Sequence, residues 1–227
     1  MPEAPDVSFV IPALDEEAAI GRVVSEARTA AASLGATCEL LVMDGASTDG
    51  TVKAAEAAGA RVVLETGGFA ASLRRGIAES RGEFVVILDG DGSHPVDRLG
   101  ALWERRADAE VVVGSRLIAE GGMAIPAYRR ALTRLLNRFF QVVLGVPVAD
   151  SSSGYRLYRA SAVRHLKGRA RGFEFQQEIL LQVLHAGGRA VEVPIYYVWR
   201  EHGVSKARIL PLALGYLRTT WAFLRPG

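Results

Sequence analysis

Short apolar runs alternate with longer amphipathic stretches through the first part of the chain, and that rhythm restricts it to few folds. Val7–Ile11, Glu39–Met43, Arg61–Leu64 and Glu83–Leu88 read as strands. Between them, Asp15–Ser33, Thr51–Ala58 and Phe69–Ser80 read as helices. Strands and helices alternating at this spacing imply an α/β fold, a mostly parallel sheet flanked by helices. The strands are unbroken apolar runs, as expected where both sheet faces are buried. Pro12 is expected to end the first of them. In such sheets ligands gather at the carboxyl ends of the strands. The polar segments after Ile11, Met43 and Leu88 all fall at those ends, and each carries acids.

The second half reads differently. Glu110–Val113 is a strand leading into Gly114-Ser115-Arg116. Tyr128–Leu144 is an amphipathic helix with Arg130, Arg134 and Arg138 spaced i, i+4, i+8. Val191–Val198 reads as one strand interrupted by Pro194, and Ile209–Leu224 as an apolar helix carrying Arg218. With 227 residues, the chain fits a main domain over 1–206 and an apolar tail over 207–227. A formal net charge of +2 argues against a nucleic-acid partner. Cys38 is the single cysteine, so no disulfide forms within the chain and a reducing, cytoplasmic setting is expected. Met1–Asp6 is acidic and proline-bearing, unlike a signal peptide.

Asp89-Gly90-Asp91 is the sharpest chemical feature. An apolar strand delivers two carboxylates into one loop, a donor set that suits Mg²⁺ or Mn²⁺ shared with substrate phosphates. An Asp-x-Asp alone is common; here its place after a buried strand, before Gly92-Ser93-His94-Pro95, gives it weight. The loop Asp44–Thr51 is the second feature. Asp44 ends a strand and is a candidate for a nucleotide base or ribose, whereas Asp49 and Thr51 are expected to cap the following helix. His94 is expected to be a turn residue rather than a ligand. His165, His185 and His202 read as surface residues, and Trp103, Trp199 and Trp221 as packing. Asp150 is the candidate general base should the acceptor be a hydroxyl, or else a loop acid that pairs with Arg156 or caps.

Taken in order, these motifs resemble a family. Val10-Ile11-Pro12 with Asp15-Glu16, Asp44 with Ser47-Thr48-Asp49-Gly50-Thr51, and Asp89-Gly90-Asp91 look like an inverting family-two glycosyltransferase of GT-A fold. The downstream series narrows the resemblance. It comprises Gly114-Ser115-Arg116, then Arg129 with Thr133 and Asn137, then Asp150-Ser151-Ser152-Ser153-Gly154-Tyr155-Arg156. Gly172-Phe173-Glu174-Phe175-Gln176 with Glu178, Glu192-Val193-Pro194-Ile195, and Arg200 with Gly203, Ser205 and Lys206 follow. This series is similar to dolichol-phosphate mannosyltransferases and their polyprenyl-phosphate relatives.

The resemblance implies transfer of a mannose- or glucose-type sugar from a GDP- or UDP-linked donor to polyprenyl phosphate. Pro12, Ala13, Glu16 and Asp44 would hold the nucleoside. Asp89 and Asp91 would hold the metal at the diphosphate, with Lys206 also on the nucleotide. Asp91, Arg116, Arg129, Asp150 and Arg200 would form the catalytic group, the arginines meeting phosphates. Gly45 stands where the family often has a second acid, Ser93 where it often has glutamine, and Phe69-Ala70 where a second glycine is usual. Two other functions stay open: transfer to a soluble hydroxyl or amine acceptor, and a non-catalytic nucleotide-sugar-binding subunit. Leu135–Val148 and Ile209–Leu224 are the candidate segments, at least one of which is expected to meet a membrane from its cytoplasmic side.

Overall fold

The computed structural model describes residues 4–198 and 209–224. Its centre is a seven-stranded sheet in the order β3-β2-β1-β4-β7-β5-β8. The strands are β1 (Val7–Ala13), β2 (Cys38–Asp44), β3 (Arg61–Leu64), β4 (Phe84–Ile87), β5 (Val111–Ser115), β7 (Arg156–Arg159) and β8 (Ala190–Pro194). β1 pairs in parallel with β2 and β4, β2 with β3, and β5 with β8. β7 alone runs antiparallel, between β4 and β5. The mostly parallel sheet expected from the sequence is therefore present, with one reversed strand at its middle.

Both faces of the sheet are covered, which explains the unbroken apolar runs. Val7, Phe9 and Ile11 point to one layer, where they meet Ile20, Val23 and Ala27 of α1 (Glu17–Ser33). Val10, Leu41 and Met43 point to the other, with Leu73 and Ile77 of α3 (Phe69–Glu79). Phe140 of α5 (Ala127–Leu144) and Leu180 of α7 (Phe175–His185) complete that second layer. Each of the buried Val, Leu, Ile, Phe and Met side chains contributes about 1.5–3 kcal/mol relative to exposure. α3 lies very close to β1: a Cβ on Gly76 would stand 2.4 Å from a Val10 methyl.

Pro12 does not end β1, contrary to the sequence expectation. The strand continues to Ala13, with Pro12 opposite Met43 and Ala13 opposite Asp44. Val10 accepts a hydrogen bond from Leu88 on the β4 side, whereas Ala13 accepts from Gly45 on the β2 side. Pro12 therefore faces the β4 side, two residues past the last β1–β4 pair, Val10–Ile87. Its missing N–H removes no ladder bond there.

The segment expected as one strand over Val191–Val198 is two. β8 ends at Pro194, and β9 (Tyr196–Val198) pairs with β6 (Gly122–Ala124) in a separate two-stranded ribbon. Ile195 is the pivot. Its N–H donates to Ser115 at the end of β5, and its carbonyl accepts from Gly122. α8 (Ile209–Leu224) packs against α5 and α7, with Tyr216 5.2 Å from Phe140.

Candidate active site

The carboxyl ends of β1, β2 and β4 open onto a cavity of about 380 Å³. Pro12, Ala13, Leu14 and Glu16 line it from β1, Gly45 from the β2 loop, and Asp89, Gly90 and Asp91 from the β4 loop. Five of the sequence-derived candidates, Pro12, Ala13, Glu16, Asp89 and Asp91, thus meet at one place. A wider groove of about 730 Å³ runs along the solvent face of α1 past Arg22 and Glu26. Those two form an ordinary exposed ion pair at 3.3 Å.

The loops around the cavity are stitched to one another. Asp15 sits at a left-handed φ of 49° and lies outside α1, which begins at Glu17 rather than at Asp15 as the sequence suggested. Its N–H donates to Ser47 Oγ at 2.9 Å, and its carboxylate accepts from the Thr48 N–H at 2.8 Å. The Glu16 N–H donates to Thr51 Oγ1, and the Glu17 N–H to Asp49. Asp49 and Thr51 were expected to cap α2 (Thr51–Ala57), but Gly50 occupies that cap position with no side-chain bond. Asp49 nonetheless accepts from the Thr51 N–H at 3.0 Å, as expected of a group at the start of α2, and Asp49 and Thr51 also satisfy free N–H groups at the start of α1.

Asp44 is 3% exposed and turned into its own loop. It accepts from the N–H groups of Ala46 and Ser47 and from the Ser47 hydroxyl. The residue that faces the cavity is its neighbour, Gly45. In the β4 loop Asp91 is buried and accepts from the Ser93 N–H at 3.0 Å, while the Asp89 side chain is 32% exposed. A Cβ on Gly90 would stand 3.1 Å from the Pro12 carbonyl, so glycine lets the two loops approach. His94 supports this loop from below. Its Nδ1 accepts from the Asp89 N–H at 3.0 Å, and its ring stacks on Tyr155 at 5.6 Å.

A second group lies at the end of β5. Arg116 holds Asp150 with two bonds, Nε at 2.7 Å and Nη2 at 2.8 Å, and its backbone N–H adds a third at 3.0 Å. The Asp150 side chain is fully buried. Burial pushes its carboxyl upward, but the Arg116 charge and hydrogen bonds outweigh this and hold it below the ordinary carboxylate range. Asn137 of α5 locks the same loop: it donates to Ser152 Oγ at 2.8 Å and accepts from the Ser151 hydroxyl and the Ser152 N–H. Asp150 is thus not paired with Arg156, the alternative the sequence left open. Arg156 is wholly buried and donates to the carbonyls of Ser151, Ser153 and Gln176 and to the Tyr158 hydroxyl.

Tyr197 of β9 joins the two groups. The Arg116 guanidinium lies 5.7 Å from its ring. Its hydroxyl is held above the ordinary range by burial, reinforced by the negative charge of Asp91 and Asp89. Arg129 stands in the first turn of α5, with Nε 3.2 Å from the Tyr128 hydroxyl. Arg200 and Lys206 lie outside the described residues.

Sequence reasoning missed Thr66, Phe69, Ser72 and Phe173 as cavity-lining residues. Phe69 stacks on Phe173 with ring centroids 4.3 Å apart. Phe173 stood within a quoted motif, but nothing in the local pattern tied it to Phe69. Among the described residues, no three His, Cys, Asp or Glu side chains converge as a metal cluster. The Asp89–Asp91 pair fits a cation that takes its remaining ligands from phosphates and water.

The chain is similar to known proteins in sequence and in fold. The family model for Glycosyl transferase family 2 matches residues 8–167. An undecaprenyl-phosphate mannosyltransferase of Micrococcus luteus is 34% identical over 183 residues, 74% of this chain and 75% of that protein. A polyprenol monophosphomannose synthase of Mycolicibacterium smegmatis is 34% identical over 144 residues, 61% of this chain and 52% of that protein. This chain thus spans about half the length of the second relative. A crystal structure of glucosyl-3-phosphoglycerate synthase from Mycobacterium tuberculosis, in complex with Mg²⁺ and UDP, superposes with a TM-score of 0.70 at 25% identity. That likeness covers 97% of this chain and 78% of the other.

Proposed function

The chain belongs to glycosyl transferase family 2, and we propose that it moves a mannose- or glucose-type sugar from a nucleoside diphosphate donor to polyprenyl phosphate. The carrying observation is the contrast between the open acid pair beside the cavity and the locked acid at the end of β5. Asp150 is buried, bound by Arg116 through both oxygens and held below the ordinary carboxylate range. Such a group is a poor base for a hydroxyl or amine. A phosphate acceptor is already anionic and needs none, which favours it over a soluble hydroxyl or amine acceptor. The relatives named for undecaprenyl phosphate and polyprenol point the same way.

In this reading Pro12, Ala13 and Glu16 hold the nucleoside end of the donor. Asp44 acts through the turn it organises, which presents Gly45 to the ligand. Asp89 and Asp91 would hold Mg²⁺ or Mn²⁺, whose charge would stabilise the departing diphosphate. Arg116 is oriented by Asp150 and Tyr197 to meet the acceptor phosphate, with Arg129, Arg200 and Lys206 assigned to the remaining phosphate oxygens. The acceptor oxygen bonds to the anomeric carbon as the bond to diphosphate breaks on the opposite side, inverting that carbon. Positioning and charge stabilisation carry the catalysis.

The acceptor's lipid asks for a surface. Tyr128, Leu132, Leu135, Phe139 and Val142 are all exposed along one stripe of α5. Leu214, Leu217, Trp221 and Leu224 are exposed along α8. Arg134 and Arg138 are exposed on α5, and Arg218 on α8. Among the described residues, no helix is long and apolar enough to cross a membrane. We assign the two stripes to peripheral contact with the bilayer that carries the acceptor.

Calorimetric titration of GDP and UDP, with and without Mn²⁺, tests the donor half. Metal-dependent binding of one nucleotide is expected and identifies the base; binding of neither would remove the transferase reading. Flotation with liposomes tests the membrane half, and Leu135→Ser with Leu217→Ser should reduce it.

A further inference from the structure

A further cavity of about 520 Å³, apart from the donor cavity, is lined by Arg74, Arg169 and Arg171 and by no acid among the described residues. We propose that it is an anion subsite that takes a phosphate group, separate from the donor diphosphate.

The remaining walls are small. Gly67, Ala70, Ala71, Gly168 and Ala170 leave the space open and bring backbone close to it. Arg74 is fixed in place: its Nη2 donates to the Ala170 carbonyl at 2.9 Å, and its guanidinium lies 4.9 Å from the Phe175 ring. Its Nε is buried and has no hydrogen-bond partner among the described residues, an unmet donor in a cationic setting. The Arg169 and Arg171 side chains are exposed, and no described acid pairs with either.

The loop that carries these two arginines is held rigid from beneath. Glu178 is buried and accepts from the N–H groups of Arg169 and Ala170, both at 2.8 Å. Glu174 accepts from the N–H groups of Arg171 and Gly172. The nearby acids are thus committed to backbone donors, and Glu65 likewise binds the Gly67 N–H at 2.9 Å. The first turn of α3, whose cap Gly68 makes no side-chain bond, contributes Ala70 and Ala71 to the same wall. Guanidinium groups matched to tetrahedral oxyanions are the usual protein answer to phosphate. The phosphate can belong to a soluble ester or to a phospholipid headgroup, since the loop stands beside α8, where a Cβ on Gly215 would stand 2.6 Å from the Glu174 carboxylate.

The test uses the whole chain and the variant Arg169→Ala/Arg171→Ala, in which both lost side chains are exposed and the fold should persist. Binding is measured to inorganic phosphate by calorimetry, and to vesicles of phosphatidylglycerol against phosphatidylcholine by sedimentation. The variant should lose at least about tenfold in affinity for phosphate, for phosphatidylglycerol vesicles, or for both. Loss of the phosphate arm alone identifies a soluble ligand, and loss of the vesicle arm alone a headgroup. Lys167→Ala removes a neighbouring exposed charge outside the cavity and should change neither. Equal binding by wild type and double variant in both arms, or an equal loss per charge in Lys167→Ala, overturns the proposal. Metal-dependent GDP or UDP binding should stay unchanged in the double variant, so this result is independent of the donor-site reading.

Discussion

Two ion pairs in this molecule stand in opposite settings. Arg22 and Glu26 meet at 3.3 Å on the open face of α1, with side chains 50% and 45% exposed. Arg116 and Asp150 meet at 2.7 Å, with side chains 12% and 0% exposed. Water and salt screen the first, so it contributes little. The second has lost its water and depends on a full set of hydrogen bonds, which Arg116, Ser152 and Asn137 supply. The difference teaches that Asp150 is there to hold Arg116 and the 150–154 loop in position. The acids at Asp89 and Asp91, placed beside a cavity, are the ones available to a ligand.

Removing one partner of the buried pair should have the largest effect. Asp150→Ala is expected to cost about 3–5 kcal/mol of stability, because it strands the Arg116 charge. Chemical denaturation would show it; a change under about 1 kcal/mol would mean that the pair is not a structural element. Next, Asp91→Ala should lower metal-dependent turnover by roughly a hundredfold or more while leaving the melting temperature nearly intact. Retained activity there would break the assignment of chemistry to the β4 loop. A smaller effect should appear on acidification. The folded carboxyl of Asp150 lies below its unfolded value, so its contribution is complete above the ordinary carboxylate pKa, about 3.9, and is lost as pH falls through the folded value. Stability measured from about pH 5 downward should fall less steeply in Asp150→Asn than in wild type. Smallest of all, Glu26→Ala should change stability by no more than about 0.5 kcal/mol. A cost as large as that of Asp150→Ala would remove the contrast between the two pairs.

The sheet's first half was readable because its signals are local. Arg61–Leu64 has the expected bounds, and the strand and helix ends around it shift by only a few residues. β7 was not readable. It begins with Arg156, a residue no strand pattern predicts in the middle of a sheet, and it is tolerated there because three carbonyls and a hydroxyl surround its guanidinium. The same limit applies at the site. Asp89 and Asp91 follow an apolar strand, so strand logic alone places them at the ligand edge. Asp49 has the local pattern of a helix cap and does bind the Thr51 N–H, but nothing local shows that Asp49 and Thr51 also serve the start of α1, more than thirty residues away in sequence.

By itself, then, the sequence determined the alternation of buried strands and helices, and with it which loops share an edge. These follow from side-chain periodicity, a property of neighbouring residues. Tertiary structure alone decided that Asp44 turns inward while Gly45 faces the cavity, that Asp150 takes Arg116 and not Arg156, and that Phe69 finds Phe173. Each of those depends on a partner brought close by the fold. Hydrogen bonds and ring contacts act over a few ångströms of space, whatever the separation along the chain.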